Sequence, residues 1–173
     1  MNQFTLSSDI AEIVQNLGDV SSDFGGKTVL LTGGQGFLGR YFTEVFVFLN
    51  RNVLNKPCRV VSFDNNITCG EFGKQISKSP GVQFVQHNVI DPIKWEEDVD
   101  YIIHAAGIAS PYYYKAHPLD TLEVATIGTK NMLDLAKRFD ARFTFFSSSE
   151  IYGDPDSRHV PIPESYRGNV SIV

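Results

Sequence analysis

Residues 28–39 have the sequence Thr-Val-Leu-Leu-Thr-Gly-Gly-Gln-Gly-Phe-Leu-Gly, and this stretch decides the fold. Its first four residues predict a short buried strand, and residues 37–49 predict a helix. Between them, Gly33, Gly36 and Gly39 follow the spacing G-x-x-G-x-x-G. A strand, a glycine-rich turn and a helix in this order are typical of a turn that binds the pyrophosphate of a dinucleotide.

The glycines have a physical role in such a turn. Without a side chain at Gly36, the backbone can approach a pyrophosphate that lies on the helix N-terminus. Gly39 is expected to let the helix pack closely against the strand. A P-loop is excluded, because no Gly-Lys-Ser or Gly-Lys-Thr follows. Arg40 could contact a phosphate, but a position on the helix surface is favoured.

Asp64 follows the second predicted strand, residues 59–63. A carboxylate at this place can accept hydrogen bonds from both hydroxyls of an adenosine ribose. It would repel the 2′-phosphate of NADP, so it favours NAD. An aspartate that only caps the loop is the alternative, but the position within the unit favours the ribose role.

Strands and helices alternate along most of the remaining chain. Further strands are predicted over residues 82–86, 101–104 and 143–146, and a long helix over residues 118–139. Short apolar strands that alternate with helices are typical of a parallel sheet covered on both faces. We therefore expect an α/β fold of the Rossmann type, with a doubly wound parallel sheet, over residues 27–153.

Two segments flank this predicted domain. In residues 1–26, apolar side chains from Ile10 to Leu17 recur at helical spacing, which predicts a short helix on the outside of the domain. Residues 154–173 are rich in proline and polar residues, and we expect a loop or tail without a further element.

The composition excludes several classes of function. Of the 173 residues, 42% are hydrophobic and 20% are charged, which is typical of one globular domain. A net charge of −5 and the lack of a basic run argue against nucleic acid as a partner. Cys58 and Cys69 are expected to be reduced thiols, and the spacing of the histidines predicts no metal site. No signal peptide or membrane span is apparent, so a cytoplasmic protein is expected.

Small residues follow the fourth and fifth predicted strands. Ala-Ala-Gly at residues 105–107 and Ser-Ser-Ser at residues 147–149 come at the carboxyl edge of the sheet, where open α/β sheets bind ligands. Their small side chains leave room for a cofactor. Three serines could form a plain turn, but Glu150 and Tyr152 beyond them favour a site.

Together these motifs resemble a known family. TGGQGFLG (residues 32–39), the strand-ending Asp64, HAAG (104–107) and SSSEIYGDP (147–155) are similar to the extended short-chain dehydrogenase/reductases that act on nucleotide sugars as epimerases, dehydratases and decarboxylases. The resemblance covers about residues 27–170. It is nearest to the UDP-glucuronate decarboxylase branch, through the segment at residues 117–138, the SEIYGDP motif and the tail PIPESYRGNV.

The resemblance implies NAD as the cofactor. It implies that the glycine turn wraps the pyrophosphate, that Asp64 and Asn65 hold the adenosine ribose, and that Asn88 and Val89 border the adenine, where relatives usually have Asp before Val. The alanines after the fourth strand would line the nicotinamide side. The implied cofactor-binding residues are Gly33, Gly36, Phe37, Leu38, Gly39, Asp64, Asn65, Asn88, Val89, Ala105, Ala106 and Ser147.

The resemblance also implies a UDP-linked sugar as substrate. Ser148 takes the position of the family's catalytic Ser or Thr, which hydrogen-bonds the sugar 4-hydroxyl. Dehydratases carry Asp-Glu where this chain has Ser149-Glu150, whereas decarboxylases carry Ser-Glu. Decarboxylation after oxidation at C4 is therefore favoured over dehydration. The implied catalytic residues are Ser148, Ser149 and Glu150, and the implied substrate-binding residues are Ser110, Pro111 and Tyr114.

The chain departs from the family pattern in three places. Ala125 stands where relatives have Asn, and Glu123 where decarboxylases tend to have Lys, so local hydrogen bonding and substrate contacts could differ. No tyrosine has a lysine four residues later, although the family uses Tyr-x-x-x-Lys as its general base. We therefore expect an N-terminal part of a longer enzyme that is inactive by itself.

Three functions remain open at this point. The first is the NAD-binding part of a nucleotide-sugar decarboxylase, and the second is the same part of a 4,6-dehydratase or a 4-epimerase. The third is a non-catalytic NAD-sensing module. In the family, the long helix after the fourth strand helps to form a dimer, so the resemblance also implies a possible homodimer.

Overall fold

The computed structural model of the chain describes residues 7–68 and 81–170. Five strands form one parallel sheet in the order β3-β2-β1-β4-β5. The strands are β1 (Thr28–Thr32), β2 (Arg59–Asp64), β3 (Val82–Gln86), β4 (Tyr101–His104) and β5 (Arg142–Phe145). The strand order reverses on the two sides of β1, which is the topology of a doubly wound Rossmann-type sheet. The predicted fold class is confirmed.

Helices precede, connect and cover these strands. They are α1 (Ser7–Leu17), α2 (Phe37–Asn52), α3 (Pro111–Ala116), α4 (Pro118–Glu123) and α5 (Thr129–Phe139). A π-helical turn (Val124–Gly128) joins α4 to α5. Short 3₁₀ helices occupy Gly18–Phe24, Ser149–Tyr152 and Ser157–His159. Within the described ranges, no helix is long and apolar enough to span a bilayer.

One face of the sheet is covered by α1 and α2. The hydroxyl of Tyr41 in α2 donates a hydrogen bond to Asp9 in α1 over 2.8 Å, so the N-terminal helix packs on the outside of the domain. The buried cluster on this face contains Ile10, Val29, Val45, Phe46, Leu49, Cys58 and Val60. Burial of each large apolar side chain contributes about 1.5–3 kcal/mol.

The opposite face is covered by α5. Its buried residues Met132, Leu135 and Ala136 lie on one side of the helix and pack on strand residues. The cluster is completed by Leu30, Val61, Phe63, Trp95, Val99 and Ile102. Since both faces are covered, the strands at the centre of the sheet are apolar along nearly their whole length.

Two sequence predictions are corrected by the structure. The predicted long helix over residues 118–139 is interrupted by the π-helical turn, which apolar periodicity does not reveal. The tail after residue 153, expected to lack a further element, contains the short 3₁₀ helix Ser157–His159. It is also held to the domain, because Asn169 donates and accepts backbone hydrogen bonds with Tyr152 and Asp154. Cys69 lies outside the described residues.

Candidate functional site

The glycine turn between β1 and α2 is closely packed. A Cβ atom on Gly39 would collide with the carbonyl oxygen of Gly33 and would lie 2.5 Å from the Cα of Gly34. The close approach predicted for Gly39 is therefore made to the turn itself rather than to the strand. At Gly36, a Cβ atom would meet the Gly33 carbonyl oxygen at 3.2 Å, a much milder conflict.

The N-terminus of α2 opens onto a cleft. Gly36 is extended, with φ −70° and ψ 178°, and no side chain caps the helix. The first N–H groups of a helix have no partner within it, and they carry partial positive charge. Gly36, Phe37, Leu38 and Gly39 line the cleft at this point. This arrangement suits an anionic group such as a pyrophosphate.

Asp64 lies at the rim of the cleft on the other side of the turn. Its Oδ2 accepts a hydrogen bond from the backbone N–H of Gln35 over 2.9 Å, and its Oδ1 accepts one from the N–H of Asn66 over 2.8 Å. The carboxylate therefore does cap the loop. Each oxygen can still accept a second hydrogen bond, so the capping role and the predicted ribose role are compatible.

At the end of the cleft beside Asp64, which is called the adenosine end after its predicted ligand, lies a narrow cavity of about 60 Å³. It is lined by seven of the predicted cofactor-binding residues: Gly33, Gly36, Asp64, Asn65, Val89, Ala105 and Ala106. Asn88 is not among its lining residues, and its Oδ1 lies 3.5 Å from the N–H of Ile90. The cleft is also lined by residues that the sequence analysis missed: Ile67, Thr68 and His87. His87 directly follows β3 at the ligand-binding edge, so its position in the sequence could have indicated it.

The other end of the cleft opens into a groove of about 770 Å³. Ala106, Ser147, Ser148 and Glu150 line it, together with Pro111 and Tyr114. Ser110 instead lines the part beside the glycine turn, and Ser149 lines neither region. The structure thus brings most of the predicted catalytic and substrate-binding residues to one groove.

Ser148 and Glu150 are exposed in this groove. The Oγ of Ser148 accepts a hydrogen bond from the backbone N–H of Glu150 over 3.2 Å and caps the 3₁₀ helix that follows. Over residues 7–68 and 81–170, the Glu150 carboxylate has neither an ion pair nor a side-chain hydrogen bond. Both side chains are therefore available to a molecule in the groove.

Arg40 does not lie on the helix surface, and that prediction was wrong. Only 6% of the residue is exposed, and its Nε donates a hydrogen bond to the carbonyl oxygen of Gln35 over 2.9 Å. The glycine turn presents this carbonyl beside the helix, which gives the guanidinium a buried partner. Arg40 therefore stabilises the glycine turn by a hydrogen bond from α2.

His104, the last residue of β4, is buried beneath the ligand-binding edge. Its Nδ1 lies 2.7 Å from the hydroxyl oxygen of Thr32, and its Nε2 lies 3.2 Å from that of Thr129. Burial lowers the pKa of His104 to about 4, so the ring is neutral at pH 7. The sequence analysis gave this residue no role beyond its place in the HAAG motif.

Metal-binding side chains do not cluster in the part of the chain that the structure describes. No group of three or more His, Cys, Asp or Glu residues there could hold a metal ion. Cys58 is buried in the core, and burial raises the pKa of its thiol. This cysteine is therefore a packing residue.

The fold and the cleft define a Rossmann-type domain with a dinucleotide-type glycine turn. The sequence matches the NAD dependent epimerase/dehydratase family over residues 29–169. The chain belongs to this family, as its motifs indicated.

Two comparisons place the chain within the family. It is 40% identical over 146 residues to UDP-glucuronic acid decarboxylase 3 from Arabidopsis thaliana, an alignment that covers 84% of this chain and 40% of that protein. It is 37% identical over 152 residues to UDP-glucuronic acid decarboxylase 1 from Xenopus tropicalis, covering 85% of this chain and 32% of that protein. The chain thus spans less than half the length of these relatives.

A solved structure shows the same fold. UDP-glucose 4-epimerase from Bifidobacterium longum, in complex with NAD⁺ and UDP, matches with a TM-score of 0.53 and 27% identity. The match covers 76% of this chain and 40% of that one.

Proposed function

We propose that this chain binds NAD and forms the cofactor-binding part of a nucleotide-sugar enzyme that decarboxylates UDP-glucuronate. The observation that carries the cofactor assignment is the pairing of Asp64 with the glycine turn. The Asp64 carboxylate is held by the Gln35 N–H, within the turn that would receive the pyrophosphate. One ligand with a ribose diol next to a pyrophosphate satisfies both groups.

The positions of the remaining parts of NAD follow from the family resemblance. The pyrophosphate would lie on the N-terminus of α2, and the adenine beside Val89. The nicotinamide would lie beside Ala106, whose small side chain lines both the adenosine end and the groove with Ser148. Bound NAD would supply the oxidation of the sugar C4 hydroxyl to a ketone.

The small number of acidic residues in the groove favours decarboxylation over dehydration. Glu150 is the only carboxylate among its described lining residues, and Ser149 does not reach it. Dehydration needs a base to remove a proton and an acid to help hydroxide leave. Decarboxylation does not need this acid, because the carboxylate next to a C4 ketone leaves as carbon dioxide. The names of the relatives support the same assignment.

Ser148 and Glu150 would act on the sugar from the side of β5. The Ser148 hydroxyl is suited to hydrogen-bond the 4-hydroxyl of the sugar, and its oxygen already accepts a bond from the Glu150 N–H. This bond orients the serine oxygen. The Glu150 carboxylate has no competing cation among the described residues, so it can accept a proton or a hydrogen bond from the substrate.

Two measurements test the proposal. Calorimetric titration of the 173-residue polypeptide should show binding of NAD and weaker binding of NADP, without turnover of UDP-glucuronate, because no Tyr-x-x-x-Lys is present. A protein that contains this chain together with a Tyr-x-x-x-Lys motif should convert UDP-glucuronate with loss of carbon dioxide, as followed by mass spectrometry. Absence of NAD binding would refute the cofactor assignment. Epimerisation of a UDP-hexose without decarboxylation would identify a 4-epimerase.

We also propose a homodimer through α4 and α5. Leu119 and Leu122 are 73% and 60% exposed, and Ile127 and Leu133 further along the same helical segment are exposed as well. Such a row of apolar side chains favours association. Sedimentation velocity should show a dimer that Leu119→Glu with Leu122→Glu converts to a monomer. A monomer in the unchanged protein would refute this proposal.

A further inference from the structure

A chain of hydrogen bonds runs beneath the ligand-binding edge. The backbone N–H of Ala106 donates to the hydroxyl oxygen of Thr32 over 3.1 Å. The same hydroxyl oxygen lies 2.7 Å from Nδ1 of His104, and Nε2 of that ring lies 3.2 Å from the hydroxyl oxygen of Thr129. The neutral ring carries one hydrogen, so one of its nitrogens donates and the other accepts.

Thr129 differs from the other threonines in the described helices. Thr43, Thr121 and Thr126 each donate a hydrogen bond to the carbonyl oxygen four residues earlier, to Gly39, His117 and Leu122 respectively. This is the usual bond of a helical threonine. Thr129 follows the π-helical turn, and the hydrogen bond of its hydroxyl is made with His104 instead. The irregular turn therefore directs Thr129 toward the end of β4.

The chain of bonds connects three elements at the cleft. Thr32 is the last residue of β1 before the glycine turn, and Thr129 is the first residue of α5. Ala106 lines both the adenosine end of the cleft and the groove with Ser148. His104 therefore holds the backbone of the Ala105-Ala106 segment at a fixed position between β1 and α5.

We propose that His104 is a positioning residue that fixes the Ala105-Ala106 backbone for the nicotinamide half of NAD. This inference rests on the proposed function. His104 is only 1% exposed and acts through Thr32 and the Ala106 N–H rather than by touching the cofactor. The chain of bonds ends at a backbone amide, which does not release its proton, so it holds the segment in place and does not conduct protons.

The test compares two ligands that share the adenosine and the pyrophosphate. NAD contains the nicotinamide half and ADP lacks it. In the 173-residue polypeptide, His104→Phe keeps a ring between Phe143 and Phe145 but removes both nitrogens. Two lost hydrogen bonds predict a decrease in NAD affinity of about tenfold and a smaller decrease in ADP affinity of about threefold, because Ala105 and Ala106 also line the adenosine end.

A second pair of variants keeps the test valid if His104→Phe fails to fold. Thr129→Val should weaken NAD binding about fivefold, whereas Thr129→Ser, which retains the hydroxyl, should bind NAD like the unchanged chain. Thr126→Val, three residues away, is the matched control and should leave NAD affinity unchanged. Parallel losses of NAD and ADP affinity, or an unchanged NAD affinity in the Thr129→Val protein, would overturn the inference. Failure of the unchanged chain to bind NAD would instead refute the proposed function.

Discussion

The two ends of the cleft differ in how firmly their residues are held. At the adenosine end, two backbone N–H groups fix the carboxylate of Asp64, and Gly39 packs against the backbone of the turn. At the other end, Ser148 and Glu150 are exposed and are connected only by the bond from the Glu150 N–H. The residues of the adenosine end are thus held by hydrogen bonds and close packing, whereas those of the serine end are exposed.

The difference follows from how each end is assembled. The adenosine end belongs to one β-α-β unit, β1-α2-β2, in which neighbouring segments of sequence pack together. The serine end follows β5, the edge strand of the described sheet, and Phe145 and Phe146 there are 48% and 39% exposed. Damage to the first end should therefore affect folding and cofactor binding together, whereas changes at the second should affect only chemistry.

Gly39→Ala is expected to have the largest effect. The added Cβ atom would collide with the Gly33 carbonyl oxygen, and neither backbone segment can move without opening the turn. We expect the free energy of unfolding to fall by about 3 kcal/mol or more, with loss of NAD binding. Urea denaturation measures the first quantity. Gly107→Ala is the matched control for stability alone, because a Cβ atom there meets nothing within 4 Å but faces the cleft. Equal losses in the two variants would contradict the close packing of the turn.

Acid should weaken the fold through His104. A histidine in the unfolded chain has a pKa of about 6.5, whereas burial lowers the pKa of His104 in the fold to about 4. Between these values the unfolded chain binds more protons, so the free energy of unfolding decreases as the pH falls. The contribution is fully present above pH 6.5, and about 3 kcal/mol is lost by pH 4.

The control for this prediction is His104→Phe, which cannot be protonated. Denaturation midpoints of both proteins should be measured between pH 7 and pH 4. The unchanged protein should lose more stability over this range than the variant, since other acidic groups titrate in both. Parallel curves would show that the burial of His104 does not govern the acid response.

The sequence predicted the fold well because the deciding pattern is local. The glycine turn and the apolar strands around it are continuous stretches, and their order alone indicates a doubly wound sheet. The burial of Arg40 was missed, since its acceptor is a backbone carbonyl that any residue at position 35 would supply. The π-helical turn was missed because one inserted residue changes apolar spacing too little to be recognised.

In the candidate site, too, local sequence patterns were informative and long-range contacts were not. Asp64 was indicated by its position at the end of a strand, and the structure places it at the cleft. The role of His104 was not indicated, because its partners Thr32 and Thr129 are 72 and 25 residues away. Contacts over such separations depend on the strand order and on the crossing of α5 over the sheet, which residue patterns do not specify.

Asp64→Asn is expected to have an intermediate effect that lowers both stability and binding, because its amide nitrogen cannot accept the bond from either the Gln35 or the Asn66 N–H. The amide keeps one acceptor oxygen but loses the charge and the second acceptor, so NAD affinity should fall about tenfold to a hundredfold. The preference for NAD over NADP should shrink, because the repulsion of the 2′-phosphate is removed. Calorimetric titration with both cofactors measures this. An unchanged ratio of the two affinities would argue that Asp64 only caps its loop.

Glu150→Gln is expected to have the smallest effect on the fold. The carboxylate is exposed and has no ionic partner in the described part of the chain, so the change should alter stability by less than about 0.5 kcal/mol. Asp134→Asn is the comparison, since it breaks an exposed pair with Lys130 that contributes about 0.3–0.5 kcal/mol. NAD affinity should be unchanged in both variants.

In an enzyme that contains this chain and has the proposed activity, Glu150→Gln should lower turnover of the nucleotide sugar by about a hundredfold or more, as expected for loss of a group that exchanges protons with the substrate. Asp134→Asn should leave turnover unchanged. Full turnover in the Glu150→Gln enzyme would show that Glu150 does not exchange protons with the substrate and that this end of the groove only positions it. Loss of stability or of NAD affinity in the 173-residue polypeptide that carries Glu150→Gln would show that the two ends of the cleft are coupled.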